Sequence, residues 1–210
     1  SPDHPLINRP LYGTYPIGST YKPFVALAAL ELGKRTATER VYDPGYFEFA
    51  GQRFRNAGSV SYGMTDMHKA LVVSSDTYFY SLGPEIGVNA LHDFMKPFGF
   101  GQLTGIDLEG ERTGVLPSTE WKRKTYKTRE QQRWYTGETI SVAVGQGYNA
   151  FTLLQLAQAT AVLANDGVYM KPHLVRAVED PRTGERTLTV SEPSYTIPLR
   201  PENVRAVKAA

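Results

Sequence analysis

With 210 residues and 41% hydrophobic composition, the chain has the material for one large domain, or part of a larger one, with a real core. Lys+Arg 23 against Asp+Glu 21 is nearly balanced, so no polyanion is implied and nucleic acid is set aside as a partner. The absence of cysteine rules out a disulfide and a thiolate zinc site, and no apolar run reaches the roughly 18 residues of a membrane span.

Residues 1–18 are rich in Pro, Gly and Tyr and read as loop. The opening, Ser1-Pro2-Asp3-His4, lacks a methionine, and the close, Val204 to Ala210, reads as an uncapped helix. An internal fragment of a longer protein is therefore expected. A helix is predicted from Ser19 to Leu32, stopped by Gly33. Tyr42-Asp43-Pro44-Gly45 is a turn signal, and Phe47-Glu48-Phe49 with Gln52-Arg53-Phe54 predicts a small hairpin across Gly51. A second helix is predicted from Thr65 or Asp66 as cap, broken at Ser74-Ser75-Asp76, where another begins. Asn89 to Met95 predicts a further short helix.

Residues 101–140 are expected to be mostly loop, anchored by Trp121 and Trp134, with the basic run from Lys122 to Arg129 solvated. Phe151 to Asn165 predicts a strong helix capped by Thr152. Leu174–Val178 and Thr187–Val190 predict a hairpin, and Pro201 starts a last helix. His4, His68, His92 and His173 are scattered without metal spacing, and Asp107 reads as a loop cap.

The stretch with chemistry is Gly18-Ser19-Thr20-Tyr21-Lys22-Pro23-Phe24. A serine and a lysine three positions apart at a helix start share one face. A serine hydroxyl is a weak nucleophile until a base takes its proton. Lysine can serve if burial and the positive helix end destabilise its ammonium. We therefore expect the Lys22 amine to reach the Ser19 hydroxyl in a dry pocket. Ser74-Ser75-Asp76 lies at a helix junction; there Ser74 could relay a proton to a leaving amine and Asp76 could orient its neighbours. A plain helix cap has the same residue types.

Together these stretches resemble the first two motifs, Ser-x-x-Lys and Ser-x-Asn, of the penicillin-binding transpeptidases. The Ser-x-Asp form is similar to the penicillin-binding protein 2 branch of the class B members. Thr104-Gly105-Ile106-Asp107-Leu108, Trp134 to Glu138, Gly145-Gln146-Gly147-Tyr148 and Asn165-Asp166-Gly167 agree, so the resemblance runs from about Asp3 to Leu174. It implies an α+β fold, a partial penicillin-binding and serine beta-lactamase-like domain. Residues 1–210 would hold mainly its helical half, with most of the central antiparallel sheet missing.

The implied activity is a peptidoglycan D,D-transpeptidase. Ser19 would form the acyl-enzyme, Lys22 would be its base, and Ser74 and Asp76 would complete the catalytic set. Gly18, Tyr21, Gly145, Gln146 and Gly147 would line the substrate cleft. The backbone N–H of Ser19 would be half of the oxyanion hole. Partners implied by resemblance are peptidoglycan stem peptides, beta-lactam antibiotics, a RodA-type glycosyltransferase and other elongation-complex proteins. The implied location is the bacterial inner membrane, with the domain in the periplasm. Alternatives are a class D-like beta-lactamase, a beta-lactam sensor, or a non-catalytic relic.

Two departures from the family pattern stand out. No Lys-Thr-Gly or Lys-Ser-Gly third motif occurs in the 210 residues, so the chain alone is expected to be inactive. Many members of the branch carry zinc on Asp, Asp, His and Cys; the matching positions here hold Asp43, Asn56, Tyr62 and Ser75. One carboxylate among weak ligands predicts no metal, and no cofactor is expected.

Overall fold

The structure, a computed structural model, describes residues 7–210. Asp3 and His4, where the family resemblance begins, lie outside the described residues. Arg9–Tyr12 is one helical turn (α1), with Pro10 near its start where a missing N–H does no harm. Thr14–Tyr15 (β1) leads to a 3-10 turn over Gly18–Tyr21, which runs straight into α2, Lys22–Glu31. The predicted single helix is thus a tight turn followed by an α-helix. Its seam falls between Ser19 and Lys22.

Helix α2 is the axis of the core. Phe24 and every residue from Val25 to Leu30 are buried, so the helix is apolar all round, as a central helix must be. It ends where Gly33 takes a φ of +62°, a left-handed conformation that glycine adopts without a Cβ clash.

Val41–Asp43 (β2), Tyr46–Phe49 (β3), Gln52–Arg55 (β4) and Gly63–Thr65 (β5) follow. Strands β3 and β4 form the predicted hairpin across Gly51, and β2 pairs with β5. Helix α3, Met67–Val72, is capped by Asp66, whose carboxylate accepts the Lys69 N–H. Helices α4, Asp76–Ile86, and α5, Val88–Met95, come next.

The segment expected to be mostly loop holds three helices: α6, Thr119–Thr125, α7, Arg129–Gln132, and α8, Thr136–Val142. The reason is local chemistry. Ser118 and Thr128 cap the first two through side-chain hydroxyls, while Glu138 reaches back to the Tyr135 N–H to start the third. Helix α8 crosses α4 at Gly83, where a Cβ would lie 2.9 Å from the Thr139 carbonyl oxygen.

Phe151–Thr152 (β6) pairs with β1 and feeds α9, Leu153–Ala164. Thr152 caps α9, and Gln155 returns a hydrogen bond to the Thr152 N–H. Val168–Met170 (β7), Ala177–Glu179 (β8), Arg186–Leu188 (β9) and Pro193–Thr196 (β10) complete the strands. Strands β8 and β9 make the predicted hairpin, and β10 returns to β7. Helix α10, Pro201–Lys208, packs Val204 and Val207 into the core beside α2. The architecture is α+β, and the sheets among the described residues are five two-stranded ribbons around the helical core.

Candidate active site

Lys22 is the first residue of α2, and its side chain is 2% exposed. Its amine donates to the Ser74 carbonyl oxygen at 2.8 Å, to Ser74 Oγ at 3.0 Å and to Asp76 Oδ1 at 2.6 Å. Three acceptors are all that an ammonium can serve. The Phe79 ring lies 5.6 Å from the nitrogen. Burial pulls the lysine below its ordinary value, while the hydrogen bond and charge of Asp76 hold it up in part.

Ser74 sits in the turn between α3 and α4 with φ +53°, a conformation that L-residues seldom adopt. Ser75, behind it, is the cap of α4 and accepts the Tyr78 N–H. Asp76 opens α4, at the positive end of that helix, and pairs with Lys22. The second carboxylate oxygen, Oδ2, accepts the Ala57 N–H at 3.2 Å.

Ser19 lies in the 3-10 turn, exposed. The Lys22 N–H donates to the Ser19 carbonyl, but among the described residues no hydrogen bond joins the Lys22 amine to the Ser19 hydroxyl, which corrects the expectation that the amine reaches the hydroxyl directly. The physical reason is competition: the three donors of the ammonium are already taken by Asp76 Oδ1, the Ser74 carbonyl and Ser74 Oγ. Lys22, Ser74 and Asp76 are thus brought together, with Ser19 one short turn away on the exposed side.

Behind that turn, Gly18 donates its N–H to the Gly145 carbonyl at 3.0 Å. Gly145 has φ +72°, and a Cβ there would overlap the Gly18 carbonyl oxygen. Gln146 and Gly147 remain exposed beside it. Tyr21 behaves differently from expectation. Its ring is fully buried, edge-on to Phe100 and stacked on Phe151, so it packs the core beneath the turn and does not line a cleft. Burial also pushes its hydroxyl far above the ordinary phenol range.

Asp107 holds the N–H groups of Leu174 and Val175, a loop tie that lowers its carboxyl below the usual range. His92 Nδ1 lies 3.0 Å from Asp93 Oδ1, but no cluster of three or more His, Cys, Asp and Glu occurs among the described residues. At the four zinc-matched positions, Asp43 is buried and accepts from Gly45 N–H, Asn56 Nδ2 and Ser75 Oγ. Asn56 and Ser75 therefore present donors to Asp43, where a cation would need lone pairs. The Tyr62 carbonyl accepts from Lys69. This donor set does not fit zinc.

One further cluster escaped the sequence reading. Lys122, within the basic run expected to be solvated, is buried. Its amine pairs with Glu138 and the Arg133 carbonyl, between the rings of Trp134, Tyr135 and Tyr148. Tyr148 OH donates to Glu138, and burial with that carboxylate pushes its hydroxyl up. The density of Trp and Tyr around positions 121–148 was the available signal. These contacts tie α6 and α8 to the Gly145–Gly147 turn.

A family model, the penicillin binding protein transpeptidase domain, matches residues 1–209. The chain belongs to the penicillin-binding protein transpeptidase family. Among curated members, it is 45% identical over 177 residues to the peptidoglycan D,D-transpeptidase MrdA of Acinetobacter baumannii, covering 83% of this chain and 26% of that one. Among solved members, it matches Pseudomonas aeruginosa PBP2 in complex with WCK 5153 at TM-score 0.85 and 43% identity, covering 100% of this chain and 46% of that one. It matches PBP2 of Helicobacter pylori in a complex with MreC at TM-score 0.79 and 31% identity, covering 98% of this chain and 35% of that one. The chain thus spans about a quarter of the length of that curated relative.

Proposed function

We propose that this chain is the acyl-enzyme-forming part of a peptidoglycan D,D-transpeptidase of the elongation type. The observation that carries the reading is the Lys22 amine. It joins the helix that follows Ser19 to both Ser74 and Asp76, 52 and 54 positions away in sequence. Ser19 Oγ is the nucleophile and attacks the penultimate D-Ala carbonyl of a stem peptide. Its proton passes to Lys22 in the neutral form, which burial makes accessible. Ser74, bonded to that amine, passes a proton to the leaving D-Ala. An amine of a second stem peptide then attacks the acyl carbonyl and releases Ser19. Asp76 orients Lys22 and Ser74. Gly18 and the Gly145–Gly147 turn hold the backbone of the nucleophile and leave the Ser19 N–H as an oxyanion donor.

Beta-lactams present a strained amide in place of the D-Ala-D-Ala end and acylate the same oxygen. By likeness to the H. pylori complex, an MreC-type protein is a candidate partner, and a RodA-type glycosyltransferase is another. No helix among the described residues is long and apolar enough to cross a membrane. Anchorage in the inner membrane would come from other parts of the full-length protein, with this domain in the periplasm.

The test is labelling of the full-length protein with a fluorescent penicillin. Stable label on Ser19, lost in Ser19→Ala and in Lys22→Ala, is the expected result. Rapid turnover of a chromogenic beta-lactam would favour a lactamase, and no reaction at all would favour a non-catalytic relic. The isolated 210-residue chain, which has no Lys-Thr-Gly or Lys-Ser-Gly strand, is expected to stay unlabelled.

A further inference from the structure

We propose that Asp43, Asn56 and Ser75 form a metal-free hydrogen-bonded clamp that positions Ser74 and Asp76 against Lys22. The proposal rests on the transpeptidase reading above. Its starting observation is the Ser74 backbone, which holds φ +53° without being glycine. Such a conformation persists only where the surroundings over-determine it.

The surroundings here are specific. Each of the three residues after Ser74 is tied to the segment between β2 and β5. Ser75 Oγ donates to Asp43 Oδ2 at 2.5 Å and accepts the Tyr78 N–H at 3.1 Å. Asp76 Oδ2 accepts the Ala57 N–H at 3.2 Å, which leaves Oδ1 for Lys22. Thr77 donates its N–H and its hydroxyl to Asn56 Oδ1, at 2.7 and 2.9 Å.

Asp43 is the hub. Its carboxylate is 1% exposed and has no cation beside it among the described residues. It is satisfied by the Gly45 N–H at 2.7 Å, the Asn56 amide at 2.9 Å and the Ser75 hydroxyl. Asn56 is 4% exposed and uses its other amide capacity on the Val60 carbonyl at 2.8 Å. A buried polar network satisfied this fully rigidifies what it touches. A cap alone needs only Ser75. The Asn56 and Ala57 contacts fix which way Asp76 and the start of α4 point.

Asn56, Asp43 and Ser75 are positioning residues on this reading, since none touches Ser19 or the amine of Lys22. Loss of the clamp lets Asp76 and Ser74 drift by fractions of an ångström. Misplacement of that kind slows a positioned reaction by roughly 10- to 100-fold.

The experiment uses the full-length protein and benzylpenicillin acylation. Asn56→Ala, with Asn56→Ser as the milder variant, is compared with Val204→Ala, a core change in α10 matched for loss of Tm. The expected result is a fall in the acylation rate constant of at least tenfold in the Asn56 variants, with initial affinity little changed and Val204→Ala near wild type. Hydrogen exchange should rise over residues 74–78 in the Asn56 variants alone. Zinc added alone should give no stoichiometric uptake by the wild type. Equal rates in the Asn56 and Val204 variants, or tight zinc binding at one per chain, would overturn the clamp while leaving the transpeptidase reading intact. Failure of the wild type to acylate at all would overturn both.

Discussion

Gly18 and Gly145, 127 positions apart, meet backbone to backbone: the Gly18 N–H donates to the Gly145 carbonyl at 3.0 Å, and a Cβ on Gly145 would overlap the Gly18 carbonyl oxygen. Their φ values of +56° and +72° lie where a Cβ is strained in any case. The residue before the candidate nucleophile is thus set by a turn from another part of the chain.

Gly145→Ala is expected to damage both stability and reactivity. The new methyl group would overlap the Gly18 carbonyl and sit 2.8 Å from Tyr21 Cβ, with backbone as the unyielding neighbour. Left-handed strain alone costs about 1–2 kcal/mol, and the overlap adds to it. Acylation by benzylpenicillin should fall by about 100-fold, because the Ser19 turn must move. An alanine variant with wild-type Tm and wild-type rate would show that the contact does not set the site.

The pH dependence of acylation should report the Lys22–Asp76 pair. Lys22 is held below its ordinary value chiefly by burial, so the neutral amine is reached below the usual lysine range. The ascending limb of the acylation rate should therefore lie below that range. Asp76 opposes the shift, so Asp76→Asn should move the limb to lower pH while reducing the maximal rate. A limb moving upward would refute the electrostatic assignment. Stability has a matching sign. Between the lowered native value and the ordinary one, the unfolded chain binds more protons, so this group makes stability rise with pH across that window.

The buried Lys122–Glu138 pair gives a third test. Lys122→Met leaves Glu138 with only the Tyr148 hydroxyl and the Tyr135 N–H. Breaking a buried pair costs about 3–5 kcal/mol, and the low end applies here because Glu138 is partly exposed. Tm of the domain should drop by roughly 6–12 °C. The double variant Lys122→Met with Glu138→Gln should recover part of that loss. Additive losses in the double variant would mean that the two side chains do not depend on each other.

Much of the chain was legible before any coordinates. The caps at Asp66 and Thr152, the hairpin across Gly51 and the helix starting at Pro201 follow from residues within a few positions, and these appear where expected. The three short helices between Thr119 and Val142 were missed because their apolar periodicity is weak and their starts depend on single caps. Tyr21 shows the other kind of error. Family resemblance assigned it to the cleft, whereas Phe100 and Phe151 from distant segments enclose it.

Ser19, Lys22, Ser74 and Asp76 could be picked out by residue type and spacing, since helix starts and caps are written in local chain order. Which acceptor the Lys22 ammonium takes could not. That choice depends on how far it is from water and on which carboxylate α4 carries to within 2.6 Å. Both are properties of helices packed together across more than fifty intervening residues, where burial and competing charges outweigh the preference of any one segment.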